Sequence, residues 1–210
     1  DNAGAGNGGV VLSALVTPSV IGIFNEDGTY TGNPLQSSWE NPVAGTDAPD
    51  KEYHNSRFLG TVYLDLDITD ELQFKTRFSI DDSNGRFTYF LDPYSTDWGR
   101  VNQGIAQESS SKSFYWICEN MFTYKKSIDA HQFDLLGGYI ASKRTNSSFS
   151  SETKSFANES VKTIAGGSVV NYATSYESER SNESFIGRVN YAYDDKYLVT
   201  ANFRADGSSV

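Results

Sequence analysis

The sequence predicts an all-β chain, a segment of an antiparallel transmembrane β-barrel with about six strands in three hairpins. Three observations carry this prediction. Apolar and polar residues alternate strictly in several runs. The connections between those runs are short and long by turns. Each run reaches or exceeds the roughly 9 to 11 residues that a tilted strand needs to cross a bilayer.

Residues 1–54 show no sustained period and read as an extracellular loop or lead-in, with residues 55–210 as the partial barrel. Within the lead-in, Val10–Val16 is a short apolar run that periodicity leaves open between helix and buried strand. The stretches 25–30 and 32–34 are dense in turn residues.

From Asn55 the pattern changes. Phe58, Gly60, Val62, Leu64, Leu66 and Ile68 fall on one face of an extended chain, and Leu59, Thr61, Tyr63, Asp65 and Asp67 on the other. After Thr69-Asp70-Glu71, Leu72, Phe74, Thr76, Phe78 and Ile80 oppose Gln73, Lys75, Arg77, Ser79 and Asp81. Two alternating runs joined by a short polar turn make a β-hairpin. A second hairpin is read from 113–124 and 131–143 around the connection 125–130, and a third from 185–193 and 196–204 around Asp194-Asp195. Between the hairpins lie two aperiodic stretches, 82–112 and 144–184, rich in Ser, Asn and Gly. Compact soluble domains rarely hold structureless loops longer than about 15 residues, whereas bacterial outer-membrane barrels pair short periplasmic turns with long extracellular loops.

Bulk composition agrees. Tyr 13, Phe 13 and Gly 18 stand against Met 1 and Pro 5, a balance that favours strands and turns. The mean hydropathy of -0.48 suits barrel strands, whose polar face offsets the apolar one. No apolar run is long enough for a transmembrane helix. A net charge of -10 without a basic cluster argues against nucleic acid as a partner. Cys118 is the single cysteine, so neither an intrachain disulfide nor a CxxC metal pair can form. His54 and His131 have no metal spacing, and residues 81–85 miss the calcium-loop pattern. No cofactor, metal site or catalytic motif is predicted. The abrupt ends suggest a segment of something longer.

The last hairpin, Gly187–Ser209, reads GRVNYAYDDKYLVTANFRADGSS. In that wording it resembles a barrel segment of the SusC/RagA-type family of TonB-linked outer-membrane transporters. Residues 119–124 with His131 and Gly137-Gly138-Tyr139 are similar to the preceding family hairpin, residues 57–81 to the one before, and residues 18–34 to the lead into it. The resemblance implies a partial TonB-dependent receptor barrel over 55–210, located in the bacterial outer membrane, and no enzyme. It further implies import of oligosaccharides or peptides, with a SusD-like surface lipoprotein as lid and energy from TonB.

Candidate contact residues follow. Trp39, Tyr89, Phe90, Tyr94 and Trp98 lie in predicted outer segments, where aromatic faces stack on sugars or pack loops together. Asp65, Asp67, Lys75 and Arg77, with Asp81, are expected to face the lumen, lining a solute path or forming a salt-bridged wall. Trp116, Tyr124, Tyr139, Tyr191, Tyr193 and Tyr197 are expected near strand ends, as the aromatic girdles of a membrane barrel or the core of a sandwich. The competing class is a secreted or surface β-sandwich that binds glycan or acts as an adhesin. The two readings place Phe58, Val62, Leu64, Leu66, Leu72, Phe74, Phe78 and Ile80 against lipid or against a second sheet.

Overall fold

A computed structural model of the chain describes residues 9–32 and 40–209. Its strands are β1 (Asp50–Asp67), β2 (Leu72–Leu91), β3 (Ile105–Ile128), β4 (His131–Phe156), β5 (Gly167–Tyr193) and β6 (Tyr197–Ser208). They form one six-stranded sheet in the order β1-β2-β3-β4-β5-β6. Such an up-and-down meander needs only tight reversals. At Asp194 and Asp195 both φ angles are +51°, as a two-residue primed turn demands, and aspartate tolerates that region better than most residues. The turn closes through Lys196 N–H donating to the Tyr193 carbonyl at 3.0 Å. At the β1–β2 turn, the Thr69 hydroxyl accepts from the Leu72 amide at 3.0 Å.

The three predicted hairpins are present, and longer connections do alternate with short ones. The strands, however, run well past the predicted limits. β1 starts at Asp50, β2 continues to Leu91, β3 starts at Ile105, β4 continues to Phe156 and β5 starts at Gly167. Only residues 92–104 and 157–166 remain as connections, with α3 (Asp97–Asn102) in the first and a 3-10 turn (Ile164–Gly166) in the second. The physical reason lies in composition. Stretches such as Ser109-Ser110-Ser111 and 145–148 are polar on both faces, so they pair as strands without the alternation that reveals one.

Contacts divide the chain into two compact units. The first, Asp1–Asn55, Gly85–Ser111 and Ser148–Ser175, holds every buried apolar side chain among the described residues. Tyr89, Leu91 and Ile105 form one cluster, with Ala48 and Phe87 against it; Phe90, Ala106 and Phe156 form another, covered by Ile164. Two more helices belong to this unit, α1 (Gly9–Val16) and α2 (Pro42–Asp47). The open choice at Val10–Val16 thus resolves to helix. Asn41 caps α2 by accepting from the Val43 and Ala44 amides while its side-chain amide donates to the Ile23 and Thr31 carbonyls. Thr96 caps α3 through the Gly99 amide at 2.8 Å, and Gln103 at φ 54° ends it. At Gly99 a β-carbon would collide with the Asp92 carbonyl, so only glycine fits.

The second unit, Ser56–Asn84, Lys112–Ser147 and Tyr176–Val210, has no comparable core. It is sheet alone. Its large apolar side chains lie exposed in rows, which sets up its two faces.

Candidate functional site: a sheet with two chemically opposite faces

Register follows from side-chain pairs within the second unit. Lys75 meets Asp65 at 2.9 Å, and Gln73 donates to Asp67 at 3.0 Å, across β1 and β2. The Arg57 Nε and Nη2 each donate to Asp81 at 2.8 Å in a bidentate pair. Arg77 pairs with Glu119 on β3, and Lys125 with Asp134 on β4 at 3.9 Å. On β4 and β3, Ser113 donates to Asn146 at 2.8 Å, and Asn146 to Ser178 of β5 at 3.3 Å. Thr200 of β6 donates to Asn190 at 3.0 Å. All of these residues share one face. Asp65, Asp67, Lys75, Arg77 and Asp81 therefore lie together on it, joined by Arg57 and Glu119. The cross-strand partner of Arg77 was not predicted, because pairing between hairpins depends on strand ends that the alternation does not reveal.

By alternation the opposite face carries Phe58, Val62, Leu64, Leu66, Phe74, Phe78, Trp116, Phe122, Tyr139, Phe185, Val189, Val199 and Phe203. Val62 and Val199 are 67% and 61% exposed, Phe58 and Phe203 61% and 65%. A soluble domain does not leave such a field of apolar surface open, whereas bilayer lipid covers it. No second sheet packs against it among the described residues.

Aromatic contacts recur along this face, with Phe74 on Phe122 at 4.6 Å among them. Beside the short turns, the His131 ring lies 4.9 Å from Tyr193 and 5.9 Å from Tyr191, its Nδ1 2.6 Å from the Tyr191 hydroxyl, with Phe133 and Tyr197 adjoining. Farther along, Tyr139 meets Phe185 at 5.0 Å and Phe78 meets Trp116 at 6.3 Å. Residues 131 and 139 are about 26 Å apart along the strand, roughly 20 Å along the membrane normal at the tilt of outer-membrane barrels. Trp116 and Tyr139 thus sit within long strands rather than at strand ends. β3 and β4 continue beyond both.

The aromatic candidates of the first unit separate. Tyr89 is 4% exposed, its ring packed in the cluster with Leu91 and Ile105 and Lys51 Nζ 5.6 Å from its centroid. Burial and the nearby Glu152 carboxylate push its phenol up to about 12. No face of that ring is free for a solute, which corrects the expectation of a stacking surface there, and Phe90 is buried likewise. Tyr94 and Trp98 are exposed, at 57% and 45%. Trp39 lies outside the described residues. The connection bearing Tyr94 and Trp98 is firmly built: Asp92 accepts from the Tyr94 and Ser95 amides at 2.7 Å, and Arg100 donates to the Tyr94 carbonyl at 2.6 Å. The Trp98 amide donates to the buried Glu40 carboxylate at 3.2 Å. Burial, with Asp97 nearby, raises the Glu40 carboxyl above its ordinary value, against the opposing pull of that amide.

No family model matches the sequence. The chain is 35% identical over 208 residues to TonB-dependent receptor P3 of Formosa agariphila, covering 98% of itself and 21% of that receptor. To TonB-dependent receptor SusC of Bacteroides thetaiotaomicron it is 26% identical over 196 residues, covering 91% of itself and 18% of SusC. It thus spans about a fifth of the length of the curated relatives it matches. Its fold is similar to a chain of the RagAB peptide importer in the closed-closed state, with a TM-score of 0.73 at 17% identity over 98% of this chain and 23% of that one. These relatives are receptors and importers rather than enzymes. The two-faced meander and the likeness to these receptors along almost the whole sequence lead to one conclusion: the chain is similar to the TonB-dependent receptors of the bacterial outer membrane, SusC among them, and has the fold of a segment of an antiparallel outer-membrane β-barrel.

Proposed function

We propose that the protein of which this chain is a segment imports oligosaccharides or peptides across the outer membrane, driven through TonB and working with a SusD-like surface lipoprotein. The observation that carries the reading is the sheet itself, apolar and exposed on one face and laced with ion pairs on the other. Asp65, Asp67, Lys75 and Arg77 then line the lumen as a salt-bridged wall. Residues 1–54 act as an extracellular lead-in before the barrel strands of 55–210. Tyr94 and Trp98, and Trp39 with them, offer aromatic faces for sugar rings or apolar peptide side chains, while Tyr89 serves packing. The names of the relatives support the TonB link and that of the RagAB importer a peptide-sized cargo.

The rival class, a soluble sandwich, requires a second sheet over Phe58, Val62, Leu64 and their neighbours. The test is uptake of a fluorescent oligosaccharide or peptide library by cells carrying the full-length receptor. Uptake should vanish when TonB is deleted, and a SusD-like lipoprotein should co-purify with the receptor. Uptake independent of TonB would sink the reading.

A further inference from the structure

Strands β4 and β5 are in a fixed register. Tyr139 packs on Phe185 at 5.0 Å, and Asn146 donates to Ser178 at 3.3 Å, seven residues farther along each strand. Equal steps on both strands leave no bulge between these two pairs, so Arg144 stands directly opposite Arg180, on the same face as Asn146 and Ser178. Two guanidiniums opposed across an antiparallel ladder repel each other and destabilise the pair.

Among the described residues no carboxylate forms an ion pair with either guanidinium. Arg144 has its guanidinium 4.7 Å over the Tyr115 ring and donates to Ser113 at 3.4 Å, both uncharged partners. The carboxylate within its electrostatic reach, Asp81, is already held twice by Arg57. Glu179, the neighbour of Arg180 in sequence, is on the opposite face and bonds Lys143 at 2.7 Å. Among the described residues Arg180 has no hydrogen-bond or ion-pair partner. Both side chains are exposed. In a chain of net charge -10, this level of the polar face is locally cationic, with Arg57, Arg144 and Arg180 against Asp81.

We propose that Arg144 and Arg180, opposed across β4 and β5 on the polar face, form a docking point for an oxyanion of the transported solute, a carboxylate or sulfate, with Ser113 and Tyr115 beside it. The inference rests on the reading of this face as an importer's inner wall. Guanidinium forks suit planar oxyanions, and an anion seated between them turns a repulsive pair into two attractive ones. The solute class is therefore acidic: an oligosaccharide with uronate or sulfate groups, or a peptide rich in Asp and Glu.

The test uses the purified full-length receptor and two matched probe pairs, tetragalacturonate with its methyl ester and tetraglutamate with tetraglutamine. In at least one pair the acidic member should bind more tightly by about tenfold, the margin between a charge-assisted hydrogen bond and a neutral one. R144Q/R180Q should erase that preference, and R144K/R180K should restore part of it. R180Q alone should leave the melting temperature unchanged or raise it, because it removes a repulsion. Equal binding within both pairs, or a preference that survives R144Q/R180Q, overturns the proposal. So does a lower melting temperature for R180Q, which would reveal a structural acid supplied by the rest of the receptor. Binding without charge preference sinks this proposal alone, whereas absence of binding by all four probes sinks the importer reading and the proposal with it.

Discussion

Glu40 is a carboxyl group that the fold shields from water, and its pH behaviour follows from that. It is 4% exposed and its folded carboxyl titrates above the ordinary value of 4.5. The folded state then binds a proton more readily than the unfolded chain just above that value, so stability falls as pH rises through this window. Hydrogen exchange at the Trp98 amide, corrected for intrinsic rates, should accelerate as pH rises through it, and Glu40→Gln should flatten the dependence. Unchanged slopes in the two proteins would refute the assignment. Gly99 makes a second residue-level case. Gly99→Ala drives a methyl group into the Asp92 carbonyl, and Thr96→Ala removes the cap of the same helix at a cost of about 1 kcal/mol. Both variants should speed limited proteolysis within 92–104, with Gly99→Ala the more severe.

At the scale of the element, the two faces of a strand should respond oppositely to one added charge. Val189 is 45% exposed on the apolar face, flanked in sequence by Arg188 and Asn190 of the polar face. In lipid vesicles, Val189→Arg should cost roughly 2 to 4 kcal/mol of unfolding free energy, the range for a cation near the bilayer midplane. Asn190→Arg should cost far less, and equal losses would contradict the facing. The β5–β6 turn gives a gentler test. Asp195→Gly relieves a positive φ and should raise the urea midpoint, by no more than about 1 kcal/mol in free energy. Asp195→Pro cannot adopt that φ and should break the hairpin. The strands were legible in the sequence where lipid enforces alternation, as in Phe58–Ile68 and Leu72–Asp81. Their continuations, 82–91, 105–112, 144–156 and 167–184, were not, because strict alternation lapses there: Ser109-Ser110-Ser111 is polar on both faces and Tyr89-Phe90-Leu91 apolar on both. Arg144 and Arg180 stayed hidden for the same reason, since they lie in those continuations or at their edge and their opposition is a matter of register. Alternation stops at Asp81 and so places Tyr89 in a loop, whereas the strand continues and carries it into a buried cluster.

The molecule as a whole is one antiparallel meander whose buried apolar residues all lie, among those described, in the first unit, while the second leaves its apolar face open. That distribution requires that something outside this segment covers the open face, and in an outer-membrane barrel the cover is lipid. The most direct test places an environment-sensitive fluorophore at single cysteines in the full-length receptor, in a C118S background, reconstituted in vesicles. Positions 62, 74, 189 and 199 should be quenched by nitroxide-labelled lipid and shielded from aqueous iodide. Positions 65, 75, 77 and 190 should show the reverse. Equal quenching of both sets by iodide would mean that the apolar face never meets the bilayer, and the account of this sheet as barrel wall would fall.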